Sequence, residues 1–295
     1  MYRAIAANKR NTIFIILGFI ALLGGLAYAW GVYSGNGSSV IPIILFVIGY
    51  TVFQYYASSS IAIAMSGAQQ IEKADNPRLW NTVENIAIAQ GMTMPKVYII
   101  PDEAPNAFAT GRNPDKAVVA ATSGLLAIMD DNELEGVMAH EMGHVKNYDI
   151  LVSTIVFGLV SAIGILADFA MRMAFWSNMD RRRDDNGFGI ALLLVGIVGS
   201  IIAFLIGPLI SAAVSRQREY LADATSAEIT RHPAGLASAL QKLGEYGRPM
   251  RRKNSAMAHM YIADPMKPGM VERLFSTHPP IPKRVERLLN MGGKF

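Results

Sequence analysis

The 295-residue chain has no cysteine, which excludes disulfides, thiolate metal ligands and a cysteine nucleophile, and agrees with a reducing compartment. It is also poor in charge, since Asp, Glu, Lys and Arg make up 17% of it against roughly 25% in soluble domains. That shortage is local. Four apolar stretches, 12–33, 40–65, 150–175 and 187–214, hold only Asp168 and Arg172 between them. The remainder carries an ordinary soluble share of charge, roughly 25%. A purely soluble protein, a disordered chain and a pore with short loops are all excluded. A membrane protein with a substantial water-facing domain is left.

Each stretch exceeds the roughly 20 apolar residues that a helix needs to cross the hydrocarbon, so the sequence predicts four spanning helices in two hairpins. The first stretch follows Arg3, Lys9 and Arg10 but is too long for a signal peptide, and a second follows closely. Basic residues at 3, 9 and 10, at 73 and 78, and at 216 and 218 flank the helix ends, which places both termini and the 66–149 segment on the cytoplasmic side of a bacterial-type inner or plasma membrane. Arg181, Arg182 and Arg183 oppose this orientation, so a re-entrant second hairpin is the alternative. Asp168 and Arg172, four apart, read as a structural ion pair. The net charge of +4 needs no nucleic-acid partner, because an anionic lipid surface accounts for a modest basic excess.

The organisation that follows is an N-terminal transmembrane hairpin (1–66), a first part of a catalytic domain (67–149), a second hydrophobic hairpin (150–214) and a second catalytic part (215–295). Between the hairpins, Asn76-Pro77 opens a helix that Gly91 stops, short β-prone runs lie at 97–100, 107–110 and 117–121, and helices follow at 123–129 and 133–147. Further helices are expected over 215–230, 234–246 and after Pro282. The fold class is therefore α+β, mainly helical, with a small sheet. Basic 247–255 reads as a mobile loop or lipid contact.

The informative segment is His140-Glu141-Met142-Gly143-His144. Residues four apart share one helix face, so both imidazoles can bind one metal while the glutamate between them takes a proton from water that the metal polarises. A chain with five histidines would contain this pattern by chance only about 0.003 times. Gly143, costly in a helix, suggests that something approaches the backbone there. The residues alone leave the third ligand open among His232, His259, His278 and a carboxylate, and Glu219 and Asp223 lie four apart on one helix face. His232 and His259 otherwise read as surface or packing residues.

His140 to His144, followed by Glu219-x-x-x-Asp223 across a hydrophobic hairpin, resembles the HtpX-type heat-shock membrane metalloproteases, relatives of the CAAX prenyl protease. The likeness extends to the N-terminal hairpin, Asn106 to Gly111, Ala121 to Leu126, Arg216 to Ala224 and Thr277-His278-Pro279-Pro280. It implies a gluzincin with one Zn2+ held by His140, His144 and Glu219, Glu141 as base and Asp223 in support. It further implies that His278 stabilises the oxyanion, and that Asn106, Ala107, Phe108 and Ala109 form an exposed edge strand that pairs with substrate. The function implied is an endopeptidase acting on damaged membrane proteins under stress. A zinc-stabilised membrane adaptor or sensor, or a prenyl-protein protease, is the alternative. Charges along the motif helix would not be tolerated in hydrocarbon, so the zinc is expected at the cytoplasmic membrane face.

Overall fold

The computed structural model of the protein describes residues 2–33, 35, 37–179, 196–197, 216–252, 255–263 and 278–291. The fourth apolar stretch, the Arg181–Arg183 cluster and Thr277 therefore lie outside the described residues, apart from 196 and 197.

Two long helices, α1 (Tyr2–Tyr33) and α2 (Val40–Ser66), pack as a hairpin and correspond to the first two apolar stretches. Both are long and apolar enough to cross a membrane. Their outer faces expose Phe14, Leu17, Leu45, Phe46 and Phe53, an apolar surface suited to lipid. Helix α1 starts at Tyr2, well before the apolar run, so the basic N-terminal segment belongs to the same helix. A third long helix, α6 (Asp149–Met179), packs against both α1 and α2. Gly158 makes that approach close, since a Cβ there would lie 3.1 Å from Ser58 Cβ. On the same helix Arg172 Nε donates to Asp168 Oδ2 at 2.8 Å, the anticipated ion pair.

Beyond this hairpin lies a four-stranded mixed sheet in the order β1 (Gln69–Gln70), β2 (Lys96–Ile100), β4 (Val118–Thr122), β3 (Ala107–Thr110). β2 and β4 run parallel, and the outer strands pair antiparallel to them. The three anticipated β-prone runs all form strands, whereas β1 is too short to leave a periodic signal. Helix α3 (Pro77–Gln90) carries its expected caps, with Asn76 accepting from Leu79 N at 2.9 Å and Gly91 turning left-handed at φ 59. A short helix, α4 (Ser123–Ile128), follows β4.

Helix α5 (Asp131–Lys146) carries the motif and is the centre of the core. Asp130 and Glu133 close a reciprocal capping box at its start. Leu134, Val137, Met138, Met142 and Val145 are fully buried on it, each worth roughly 2 kcal/mol of apolar transfer. Helices α3, α7 (Arg216–Thr230) and α8 (Pro233–Tyr246) pack against it, and α9 (Ile281–Leu289) packs on α7 and α8 behind them. Lys242 and Ser238 of α8 both reach Glu133 at 2.6 Å, and Ser226 of α7 donates to Gly136 O at 2.8 Å. The anticipated loop at 247–255 docks in part: Arg251 N donates to Asp102 Oδ2 at 2.8 Å, and Arg252 Nη1 reaches Ala64 O near the end of α2 at 3.4 Å.

Candidate metal centre

His140 and His144 project from one face of α5 with their Nε2 atoms 3.2 Å apart. Their rings are nearly perpendicular, at 87°. Helix α7 supplies the opposite wall, where Glu219 Oε1 lies 3.4 Å from His144 Nε2 and Oε2 lies 3.7 Å from His140 Nε2. The two helices come close because residue 143 has no side chain. A Cβ at Gly143 would sit 3.3 Å from Thr225 Cβ and 3.5 Å from Ala222 Cα, so the neighbour that the sequence led us to expect is α7 itself.

Each imidazole is held from behind by a carboxylate. Asp223 Oδ1 lies 3.1 Å from His140 Nδ1, and Asp149 Oδ2 lies 3.0 Å from His144 Nδ1. With Nδ1–H donating in both rings, both Nε2 atoms turn lone pairs toward each other and toward the Glu219 carboxylate. Two facing lone pairs and an anion in a buried space repel one another unless a cation lies between them. The ligand atoms of His140, His144 and Glu219 all fall within 4.8 Å of one another, and an N2O donor set with one position open is the pattern of a catalytic zinc. These residues fit zinc.

Without a metal, the charged groups around the site compensate one another, and a proton on His144 takes the place of the cation opposite Glu219. Burial alone would raise the carboxyl of Glu219, but His278, His144 and Arg284 outweigh it and hold it well below the usual carboxylate range. Burial opposes charge on Asp223 too, and Arg284 overcomes it, so this carboxyl is also lowered. Burial pushes His140 down. His144 is raised, because Asp149 and Glu219 outweigh its desolvation. Glu141, 2% exposed and without a dedicated cation, is pushed up by burial to about 7.

His278 lies at the site, with Nδ1 2.9 Å from Glu219 Oε2. His232 stands exposed before α8, away from the centre. His259 is buried, within hydrogen-bond distance of Ser153 O at 3.0 Å, and belongs to the packing above the site. Two contributors were not anticipated. Arg284 of α9 grips Asp223 through Nε at 2.9 Å and Nη2 at 2.7 Å and reaches Glu219 through Nη1 at 3.3 Å. Asp149 follows the helix break at Tyr148, whose φ is 61. Helical spacing carries no signal for either.

The stretch from Asn106 to Ala109 differs from expectation in one respect. β3 is the outermost strand on its side of the sheet, but its outer edge is covered rather than exposed. Phe108 and Tyr261 form a bridge with rings 5.1 Å apart, and Ile262 N donates to Ala107 O at 2.9 Å. Asn106 fastens this returning segment, donating from Nδ2 to Ala263 O at 2.8 Å and accepting from Ala263 N at 3.2 Å. The cavity between this cover, Ala109, Glu141 and the histidines is about 20 Å3, on the scale of one water.

The family model "Peptidase family M48" matches residues 73–292. The chain is 54% identical over 295 residues to the Protease HtpX homolog of Tropheryma whipplei (strain TW08/27), with 100% of both chains covered. It is 44% identical over 297 residues to the Protease HtpX homolog of Streptococcus gordonii, covering 99% of this chain and 100% of that one. The crystal structure of S. mikatae Ste24p superposes with a TM-score of 0.53 over 96% of this chain and 67% of that chain, at 18% identity, a likeness of fold. A histidine pair and a glutamate that call for a cation, beside apolar helices and within a match of this extent, settle the assignment: the chain belongs to peptidase family M48 and is a membrane-bound metalloprotease.

Proposed function

We propose that the protein is a zinc endopeptidase that hydrolyses membrane proteins, damaged or misassembled ones in particular, close to the bilayer. His140, His144 and Glu219 hold the metal. The observation that carries this reading is the mutual approach of His140 Nε2, His144 Nε2 and the Glu219 carboxylate, with both Nδ1 atoms engaged by carboxylates behind them. Bound zinc supplies Lewis acidity, polarising the scissile carbonyl and the attacking water.

The chain's own residues do the rest. Glu141, kept basic near neutral pH by its burial, accepts the water proton at its carboxylate and passes it to the leaving amine. Asp223 and Asp149 fix ring orientation and leave each Nε2 unprotonated. His278 faces the site beside Glu219 and donates toward the oxyanion as the carbonyl is attacked. Substrate backbone adds to β3 along Asn106–Ala109, a sequence-tolerant mode suited to many clients, after the 261–262 segment moves aside.

In this reading the apolar stretches at 150–175 and 187–214 form a second hairpin between the two catalytic parts, giving four spans with termini and active site on the cytoplasmic side. The distribution of basic residues supports that orientation, and the packing of α6 against α1 and α2 supports a common membrane bundle.

The test uses detergent-purified full-length protein. We expect one zinc per chain, chelator-sensitive cleavage of an unfolded membrane substrate, and a Glu141→Gln variant that keeps zinc and loses cleavage. Full activity in that variant ends the assignment of Glu141.

A further inference from the structure

We propose that Asn8, on the N-terminal membrane helix, is a positioning residue of the metal centre that acts through Asp149 on His144. The proposal rests on the zinc reading above.

Asn8 lies on the first turns of α1, next to exposed Lys9 and Arg10, yet it is only 3% exposed itself. Its Nδ2 donates to Asp149 Oδ1 at 2.6 Å and to Asn147 O at 2.8 Å. These two acceptors bracket Tyr148, the left-handed residue where α5 ends and α6 begins. The amide thus clamps the joint from both sides. The Asn8 backbone is held in turn, because Thr12 Oγ1 donates to Asn8 O at 2.9 Å. Lys9, the next residue, lies over the Tyr148 ring at 4.3 Å.

The consequence for the site follows from how the two Asp149 oxygens are used. Oδ2 takes the Nδ1–H of His144 at 3.0 Å, while Oδ1 is held by Asn8 and lies 3.7 Å from Arg218 Nε. A carboxylate fixed at only one oxygen can rotate about its last bond and carry the imidazole with it. The Asn8 amide, closer to Oδ1 than Arg218 Nε is, fixes the other oxygen and so keeps Oδ2 turned to His144. Had the role of Asn8 been only to glue α1 to the domain, its contact with the Asn147 carbonyl would have been enough. The chain Asn8 to Asp149 to His144 makes the N-terminal helix a contributor to the active site as well as an anchor.

The test compares full-length Asn8→Ala, Asn8→Asp and Lys9→Ala in detergent. The Asp variant keeps the shape of the side chain but replaces the donor with an acceptor, so it separates packing from the hydrogen bond. Zinc affinity is read by competition with a chromophoric chelator, and ligand geometry by the visible spectrum of the cobalt(II)-substituted protein. Removing a carboxylate that orients a ligating histidine costs roughly 10- to 100-fold in metal affinity, and one step further out we expect about 3- to 10-fold for both Asn8 variants, with an altered cobalt spectrum. Lys9→Ala should leave both readouts unchanged. In an Asp149→Ala background, Asn8→Ala should cause no further loss. Affinities within about twofold of wild type and an unchanged spectrum in both Asn8 variants overturn the proposal, as does full additivity with Asp149→Ala. Wild-type protein that takes up no zinc overturns the metal reading itself, and this proposal with it.

Discussion

Arg284 Nη2 stands 2.7 Å from Asp223 Oδ1, so the carboxylate that turns the His140 ring is itself held by a buried cation from α9. Removing that cation leaves Asp223 and Glu219 without their shared partner in a dry interior. Arg284→Leu should cost about 3–5 kcal/mol of stability, the range for breaking a buried ion pair from one side. Arg284→Lys keeps the charge but not the two-pronged grip, and should fall between the two. Thermal or denaturant unfolding of the three proteins checks the order, and equal stability of Arg284→Leu and wild type would show that the grip is dispensable.

Glu141 gives a dependence on pH that needs no substrate. Its carboxyl is pushed up to about 7 in the fold, against an ordinary value of 4.5. Below pH 4.5 both folded and unfolded chains hold the proton. Between there and 7 only the unfolded chain releases it, so the metal-free protein loses stability as pH rises, to a total of roughly 3 kcal/mol above 7. Glu141→Gln cannot ionise. In chelator it should therefore be more stable than wild type at pH 8 and equal to it near pH 4, and melting curves across that range decide the matter.

Gly143 separates packing from metal binding. Alanine there gains about 1 kcal/mol of helix propensity. Its methyl would also press α7 at 3.3 Å, and α7 carries Glu219. Gly143→Ala should thus have near-wild-type stability but weakened zinc affinity and cleavage. Gly136→Ala is different, because its Cβ would meet the Leu236 backbone nitrogen at 2.7 Å and has no room to relax. That variant should lose several kcal/mol of stability, the scale of a core overpacking at its upper end. Chelator competition and thermal melts on both proteins distinguish the two effects.

If substrate adds to β3, the Tyr261–Ile262 segment competes with it. Ile262→Pro removes the N–H that bonds Ala107 O without adding charge. The expected outcome is a KM lowered a few-fold toward an unfolded membrane substrate, with kcat little changed. An unchanged KM would place the substrate on another surface.

Much of this site is visible in the sequence because its chemistry is periodic. His140, Glu141 and His144 share one helix, as do Glu219 and Asp223, and helical spacing alone puts each set on one face. The caps of α3 and α5 are equally local and equally legible. What was hidden depends on contacts between distant segments. Asp149 is five residues from His144 but lies beyond a left-handed break, so no helical period connects them. Arg284 meets Asp223 across 61 residues, and Asn8 meets Asp149 across 141. The covering of β3 belongs to the same class, since a strand's pattern does not reveal what lies along its edge.

Only Asn147 and Tyr148 separate the motif helix from α6, the helix that packs against the membrane hairpin. A linker of two residues has no slack. If α6 enters the bilayer with that hairpin, as proposed above, the height of the scissile bond above the lipid is set by the covalent chain, much as a cutter mounted on a fixed bracket trims at one height. On that proposal, which peptide bond is cut depends on how far an unfolded segment protrudes from the bilayer, and the residues flanking that bond need contribute little.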